Sequence, residues 1–350
     1  MSTSGTVGTQ TISVQALIDH AARRAGKLAE ELSVEQVQAA RNILFMLLTN
    51  LANIGIQYWC IQKSVVGFIP DQFEYTLPVG TVDVLNSNYR SLTNNNQNPF
   101  VSSGDPTIPF SGTVGPTFTQ TAPNGYLGVS LSSAVYIGTV GILPSAALPT
   151  NIVIESSPDG ATWTTVYAPG AVTWQPGQWL WYDLDPSATQ PYWRIRETGG
   201  ATLQLLQAVF GSNTTEIPLA RMNRDDYVNL PNKNFTSTRP LQFWFNRTLP
   251  QPTMVCWPAP SDYFSQMTVW RHRQIQDVGQ LSGNLEVPDR WLQAVKAMLS
   301  HGLSLELPGV DLARIQYLEG QADEYWNQAE QEERDKSPIF LTPNISVYTR

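Results

Sequence analysis

Apolar residues recur along this 350-residue chain with two periods, helical at both ends and strand-like between them. Near the start, Val14, Leu17, Ile18 and Ala21 follow Ser13, a residue type that caps helices, and Arg23-Arg24 suits the negative pole of the helix they would end. Ser33 with Gln36 forms a capping-box pattern. It opens a longer helix carrying Val37, Leu44, Leu47, Leu48 and Leu51 at helical spacing. Near the other end, Pro288 stands where a first helical turn tolerates proline. The stripe Trp291, Ala294, Val295, Met298, Leu299 and Leu305 follows. Pro308-Gly309 breaks the chain, and Asp311 is placed to cap a last helix with Leu312, Ile315, Leu318, Ala322, Tyr325 and Ala329. Two amphipathic helices from each end predict an antiparallel bundle.

Inside the helices the period falls to two. Runs at 64–69, 73–77 and 81–85, and again at 242–246, 254–257 and 266–273, read as short strands separated by proline-rich turns. Between Asn86 and Asn213 charge nearly disappears: only Arg90, Asp105, Glu155, Asp159, Asp183, Asp185, Arg194, Arg196 and Glu197 carry any. This block holds further runs at 126–131, 135–142, 152–156, 163–166, 179–184, 192–197 and 203–210. Turn signals such as Pro123-Asn124-Gly125 and Pro158-Asp159-Gly160 divide them, with no helix between. A change of composition at two points, with like material on either side, marks one domain inserted in another. The expected fold class is therefore α+β: an antiparallel helix bundle with a small antiparallel sheet, interrupted by an all-β sandwich or jelly roll. The expected divisions are a disordered N-terminus at 1–12, an adaptor domain at 13–95 and 214–336, the inserted sandwich at 100–212, and an extended tail at 337–350.

The net charge of −8 argues against a grip on nucleic acid, which needs clustered Lys and Arg. It does suit a surface past which DNA slides. Cys60 and Cys256 lie in apolar contexts typical of buried thiols and are too few for a disulfide framework, although a pairing between the two stays open. The N-terminal residues lack the basic start and apolar stretch of a signal peptide. Ile43 to Leu48, the longest apolar run, is too short to span a bilayer. A soluble protein made in a cytoplasm is expected.

A helix pair, an "EYTLP" segment, strands ending "VCWPAP" and then "TVWRHR" come in that order. "EVPDRWLQAVKAMLSHGLSLEL" and a charged last helix complete the series. This order resembles the head-to-tail adaptor (connector) proteins of tailed phages, the group that includes tail tubular protein A. The resemblance covers residues 13–85 and 215–350. It implies a structural virion protein at the neck between head and tail: a homo-oligomeric ring, dodecameric in that family, assembled in the host cytoplasm. Such a ring docks under the portal protein, meets a tail or nozzle protein, and continues the DNA channel for genome ejection without binding DNA specifically or touching membrane. The tail residues Ile339, Phe340, Leu341, Ile345, Val347 and Tyr348 are too apolar to stay in water. They dock on a neighbouring subunit or the portal, or pack back on their own domain.

Within the block, "NIVIESSPDGATWTTV", "QWLWYDL" and "QPYWRIRE" are similar to discoidin-like and related galactose-binding-like sandwiches. That similarity implies a fold, and leaves protein, sugar or no ligand open. Candidate glycan-stacking residues are Trp174, Trp179 and Trp181. Alternation puts Trp179 and Trp181 on one face of their strand and Leu180, Tyr182 and Leu184 on the other. The two rings then either face solvent or are covered by the Trp174–Gly177 loop or a neighbour. Arg194 and Arg196 are expected to pair with Asp183 or Asp185. His20, His272 and His301 have no ligand spacing to a carboxylate or cysteine, and no phosphate loop, nucleophile elbow or metalloprotease motif occurs. No enzyme activity, cofactor or metal is expected. A connector accounts for most of the chain, a host-surface glycan-binding tail module for the sandwich, and a hydrolase for neither.

Overall fold

A computed structural model describes residues 11–55, 58–112, 115–120, 123–146, 149–173, 176–185, 189–261 and 264–332. The expected docking residues Ile339, Phe340, Leu341, Ile345, Val347 and Tyr348, most of the N-terminal segment, and Trp174 lie outside the described residues. In chain order the elements begin with α1 (Val14–Ala25), α2 (Val34–Ile54), β1 (Ile61–Gly67), β2 (Glu74–Thr76), β3 (Thr81–Asn94) and β4 (Pro99–Val101). Next come β5 (Phe118–Thr119), β6 (Tyr126–Val135), β7 (Thr139–Pro144), β8 (Pro149–Ser157), β9 (Thr164–Thr173) and β10 (Leu180–Asp183). They are followed by β11 (Gln190–Glu197), β12 (Gln204–Pro218), β13 (Ala220–Arg221), α3 (Arg224–Val228), β14 (Thr236–Ser237) and β15 (Gln242–Asn246). The series closes with β16 (Thr253–Trp257), β17 (Ala259–Pro260), β18 (Gln266–Arg273), α4 (Asp289–Glu306) and α5 (Leu312–Glu332).

Contacts divide the chain into two units, one of residues 1–61 with 272–350 and one of residues 62–271. In the first, the Ser13 hydroxyl accepts the Ala16 N–H and Ser33 forms the full capping box with Gln36, satisfying amide groups that helix starts leave unpaired. Helices α1, α2 and α5 all pack on α4, joining Leu17, Ile18, Leu44, Leu51, Trp291, Val295 and Leu299 in one core. Leu305 is exposed, and Leu303 and Leu307 fill the core instead. They continue the four-residue step from Leu299, whereas position 305 faces the opposite side.

The second unit corrects the expected fold class. Most of the molecule is β-sandwich, with the longer helices confined to the two ends, and no α+β domain surrounds an insert. The helical core contains no strand residue. The strands expected to pack with the helices enclose a core of their own, with Phe68, Tyr75, Val84, Phe243, Met254, Cys256 and Met267. They also run on into the sandwich. β3 and β12 are far longer than the patterns at 81–85 and 203–210, and they pair antiparallel from Asn94↔Gly211 to Asn88↔Pro218. One sheet thereby carries the order β1-β18-β3-β12-β7-β10, with β5 also on β12. The opposing sheet is β4-β6-β11-β8-β9. Between this sheet and the β5, β7, β10 and β12 strands lies the third core, built from Phe118, Leu127, Val129, Val140, Ile142, Ile154, Trp193, Ile195 and Phe210. Buried and half-buried residues alternate over the second half of β11, as packing of one face on a second sheet requires.

Candidate functional site

Alternation along β10 is as expected. Leu180, Tyr182 and Leu184 turn into the sandwich core, while Trp179 and Trp181 stack on each other outside it, with centroids 5.0 Å apart and planes at 23°. These two rings are brought together, but not as a free platform. Both are half-buried, and both indole N–H groups are enclosed without a hydrogen-bond partner. The Trp181 ring lies over Gly141 of β7, and the Trp179 side chain over Gly67 of β1, where any side chain would collide with them. Glycine is the residue that lets a ring lie flat on the sheet.

Arg194 and Arg196 do not meet Asp183 or Asp185, a second correction. Cross-strand register sets Arg194 beside Glu155 of β8, which is on the same face, whereas Asp183 belongs to the other sheet. Asp183 instead accepts from Lys63 at 2.8 Å and from Arg90 at 2.6 Å, and Arg90 also binds Glu216 at 2.6 Å. Burial alone would raise the Glu155 carboxyl, but hydrogen bonds from Arg196 and Arg194 outweigh it and hold Glu155 below the usual carboxylate range. Arg196 donates from Nε and Nη2 at 3.0 and 2.6 Å, and Arg194 from Nε at 2.6 Å.

Around Arg194 the outer face of the five-stranded sheet gathers three rings that no local sequence pattern singles out. The guanidinium lies 3.9 Å from the Trp163 ring centroid and 5.0 Å from that of Tyr126. Phe100 stands 6.0 Å from Tyr126 and 6.1 Å from Trp163. Register explains the grouping. Phe100 of β4 pairs with Gly128 of β6, which pairs with Arg194 of β11, and the missing Gly128 side chain makes room for the Phe100 ring. Phe100, Tyr126 and Trp163 are each partly exposed. The cluster thus offers apolar ring surface and hydrogen-bond donors side by side, the combination by which sugars are held.

Other openings offer less chemistry. A groove of about 510 Å³ beside β4 is lined by Pro99, Ile108, Phe110 and Pro116, with only Asn96, Thr107 and Ser111 as polar side chains. His20 and His301 lie on helices and His272 is buried in β18. Among the described residues no group of three or more His, Cys, Asp or Glu could hold a metal, and no helix is long and apolar enough to cross a membrane.

No protein-family model and no curated protein matches the chain. Part of it is similar to solved carbohydrate-binding β-sandwich modules. One is chitosan-binding module 1 of a chitosanase/glucanase from Paenibacillus sp. IK-5, 20% identical, covering 35% of this chain and 99% of the module with a TM-score of 0.30. Another is the family 32 module of Clostridium perfringens NanJ in complex with galactose, 15% identical over 35% of this chain and 99% of the module, with a TM-score of 0.29. A third, a Clostridium perfringens module named CpGH89CBM32-6, is 14% identical over 33% and 92%, with a TM-score of 0.30.

Proposed function

We propose that the protein binds carbohydrate through the outer face of its five-stranded sheet and performs no reaction there. The observation that carries this reading is the grouping of Phe100, Tyr126 and Trp163 around Arg194 at the surface. Pyranose rings present an apolar C–H face and a rim of hydroxyls, and match aromatic surface beside fixed donors. A glycan array probed with the purified full chain tests it. Binding is expected, and Trp163→Ala should abolish it with the fold intact by circular dichroism. An array without any signal refutes the reading.

A second reading concerns the rest of the chain. Helices from both chain ends share one core, and we propose this reading on the segment order that resembles phage connectors. On this reading the protein is a virion connector ring, and the sandwich is an outward decoration that meets host-surface glycan. Sedimentation of the full chain, alone and with its portal, should show a ring of about the family's copy number. Removing residues 337–350 should abolish portal binding while thermal stability stays unchanged. A monomer under all conditions would overturn it.

A further inference from the structure

We infer that the sheet-face site selects an acidic sugar, one whose carboxylate is received by the Arg194 fork, with Arg196 beside it. This rests on the carbohydrate reading above and names the ligand class for that site.

Charge supplies the first reason. Arg194 and Arg196 are the only cationic side chains between Arg90 and Arg221, and both stand on this one face. A single carboxylate, Glu155, answers the two of them. The face therefore keeps a net positive charge of one on a chain that is otherwise acidic. Glu155 itself is buried and below its usual range, so it stays ionised and cannot donate to a sugar hydroxyl. It acts as the fixed anchor of the two arginines.

Geometry supplies the second. Glu155 holds Arg194 only through Nε. Among the described residues neither Nη group of Arg194 makes a hydrogen bond, although the side chain is only 14% exposed. Its Cζ lies 3.9 Å from the centroid of Trp163 and 5.0 Å from that of Tyr126, so both rings pack against it. An oriented guanidinium with its outer edge unpaired is complementary to a planar carboxylate, which accepts two parallel N–H bonds from such a fork. The rings alongside then meet the apolar face of the same sugar. A neutral sugar would satisfy the rings and leave the charge unanswered, and a bare small anion would do the reverse.

Binding of a galacturonic acid trimer, its fully methyl-esterified form and a heparin-derived sulfated oligosaccharide to the full chain tests this by titration calorimetry. The acid should bind at least ~10-fold more tightly than the ester, in keeping with the greater strength of charge-assisted, bidentate hydrogen bonds. Added salt should weaken it. Arg194→Lys, which keeps the charge but loses the fork, should lower affinity for the acid by ~10-fold or more and affinity for the ester far less, with the fold intact by circular dichroism. Should Arg194→Lys prove unstable, Arg196→Gln serves instead, with a smaller loss for the acid alone. Equal binding of acid and ester, both lost in Trp163→Ala, would overturn the acidic assignment and leave the carbohydrate reading standing. Binding of the sulfated oligosaccharide alone would overturn the choice of carboxylate. No binding of any of the three, nor of any glycan on the array, would overturn both.

Discussion

Replacing Arg90 by Met should destabilise the β unit by an amount that the structure bounds. The Arg90 side chain is 5% exposed and its donors are divided between two carboxylates. Nη1 reaches Asp183 at 2.6 Å, while Nη2 and Nε reach Glu216 at 2.6 and 3.0 Å. Hydrogen bonds to charged groups contribute about 1.5–3 kcal/mol each when shielded. Here the carboxylates are 37% and 33% exposed, and water replaces part of what each loses, as at exposed ion pairs. Lys63 also stays on Asp183 at 2.8 Å. Methionine fills most of the vacated volume, so the cavity contribution is small. The loss is about 2–3 kcal/mol by these figures, a fall of ~5–10 °C in melting temperature for a unit of this size. Scanning calorimetry of the full chain at neutral pH measures it.

The stability contributed by Arg90 is also expected to depend on pH. Burial raises the Asp183 and Glu216 carboxyls, but hydrogen bonds, from Arg90 and Lys63 on Asp183 and from Asn88 and Arg90 on Glu216, outweigh it and leave both below their usual range. A carboxyl depressed in the folded state contributes stability above its unfolded value and loses it as pH falls through the folded one. The gap between wild type and Arg90→Met should therefore be full at neutral pH and narrow once pH drops below the ordinary carboxylate range, near ~4. A melting-temperature change under ~2 °C at neutral pH would refute the proposed magnitude. A gap that stays constant into acid would show that Arg90 acts by packing rather than charge.

Two further outcomes follow from the burial pattern. Because Trp179 and Trp181 cover Gly67 and Gly141, replacing both with Ala should cost about 2–4 kcal/mol by chemical denaturation and leave sugar binding at the Arg194 face unchanged; an unaltered midpoint would mean the rings are free of the sheet. Cys60 and Cys256 are both buried thiols, and burial pushes the Cys256 thiol up to about 12, so the native protein should take up no thiol reagent at mild alkaline pH and two equivalents in denaturant; labelling of Cys256 before unfolding would contradict the closed β core.

Local signals were legible in the sequence and long-range ones were not. The caps at Ser13 and Ser33 depend on residues three apart, and both form. The runs 242–246 and 266–273 appear as strands with those bounds. The extension of β3 past Leu85 is hidden by Asn86, Ser87, Asn88 and Asn94, turn-forming types whose preference a ladder to β12 overrides. The site shows the same division. Alternation in "WRIR" places Arg194 and Arg196 on one face from sequence alone. Their partner Glu155 and the rings of Phe100 and Tyr126 come from other strands and are brought alongside by register, while Trp163 comes from the connection just before β9. Nothing local in the sequence specifies that register, because each strand's alternation is compatible with several neighbours.

The way β12 is built bears on how the sheet-face site could work. Leu205, Ala208 and Phe210 of this strand lie in the sandwich core, and Ile217 packs against the smaller β core. Arg90 ties the β3–β12 ladder to Asp183 of β10. The sandwich is therefore joined to its neighbouring core through continuous hydrogen-bonded strands rather than a flexible hinge. Three of the four site residues, Phe100, Tyr126 and Arg194, stand on strands and are ordered before a ligand arrives, so less of the binding energy goes into arranging them. A flat face that holds one or two sugar rings still binds weakly by itself. Repetition is what makes such a face effective, since linked copies can raise avidity by ~10²–10⁴ without any new contact. The proposed ring would supply that repetition, and rigid mounting would keep its copies facing one surface together. On energetic grounds the two proposed readings therefore support each other, because a weak, preorganised sugar site gains most in a symmetric assembly.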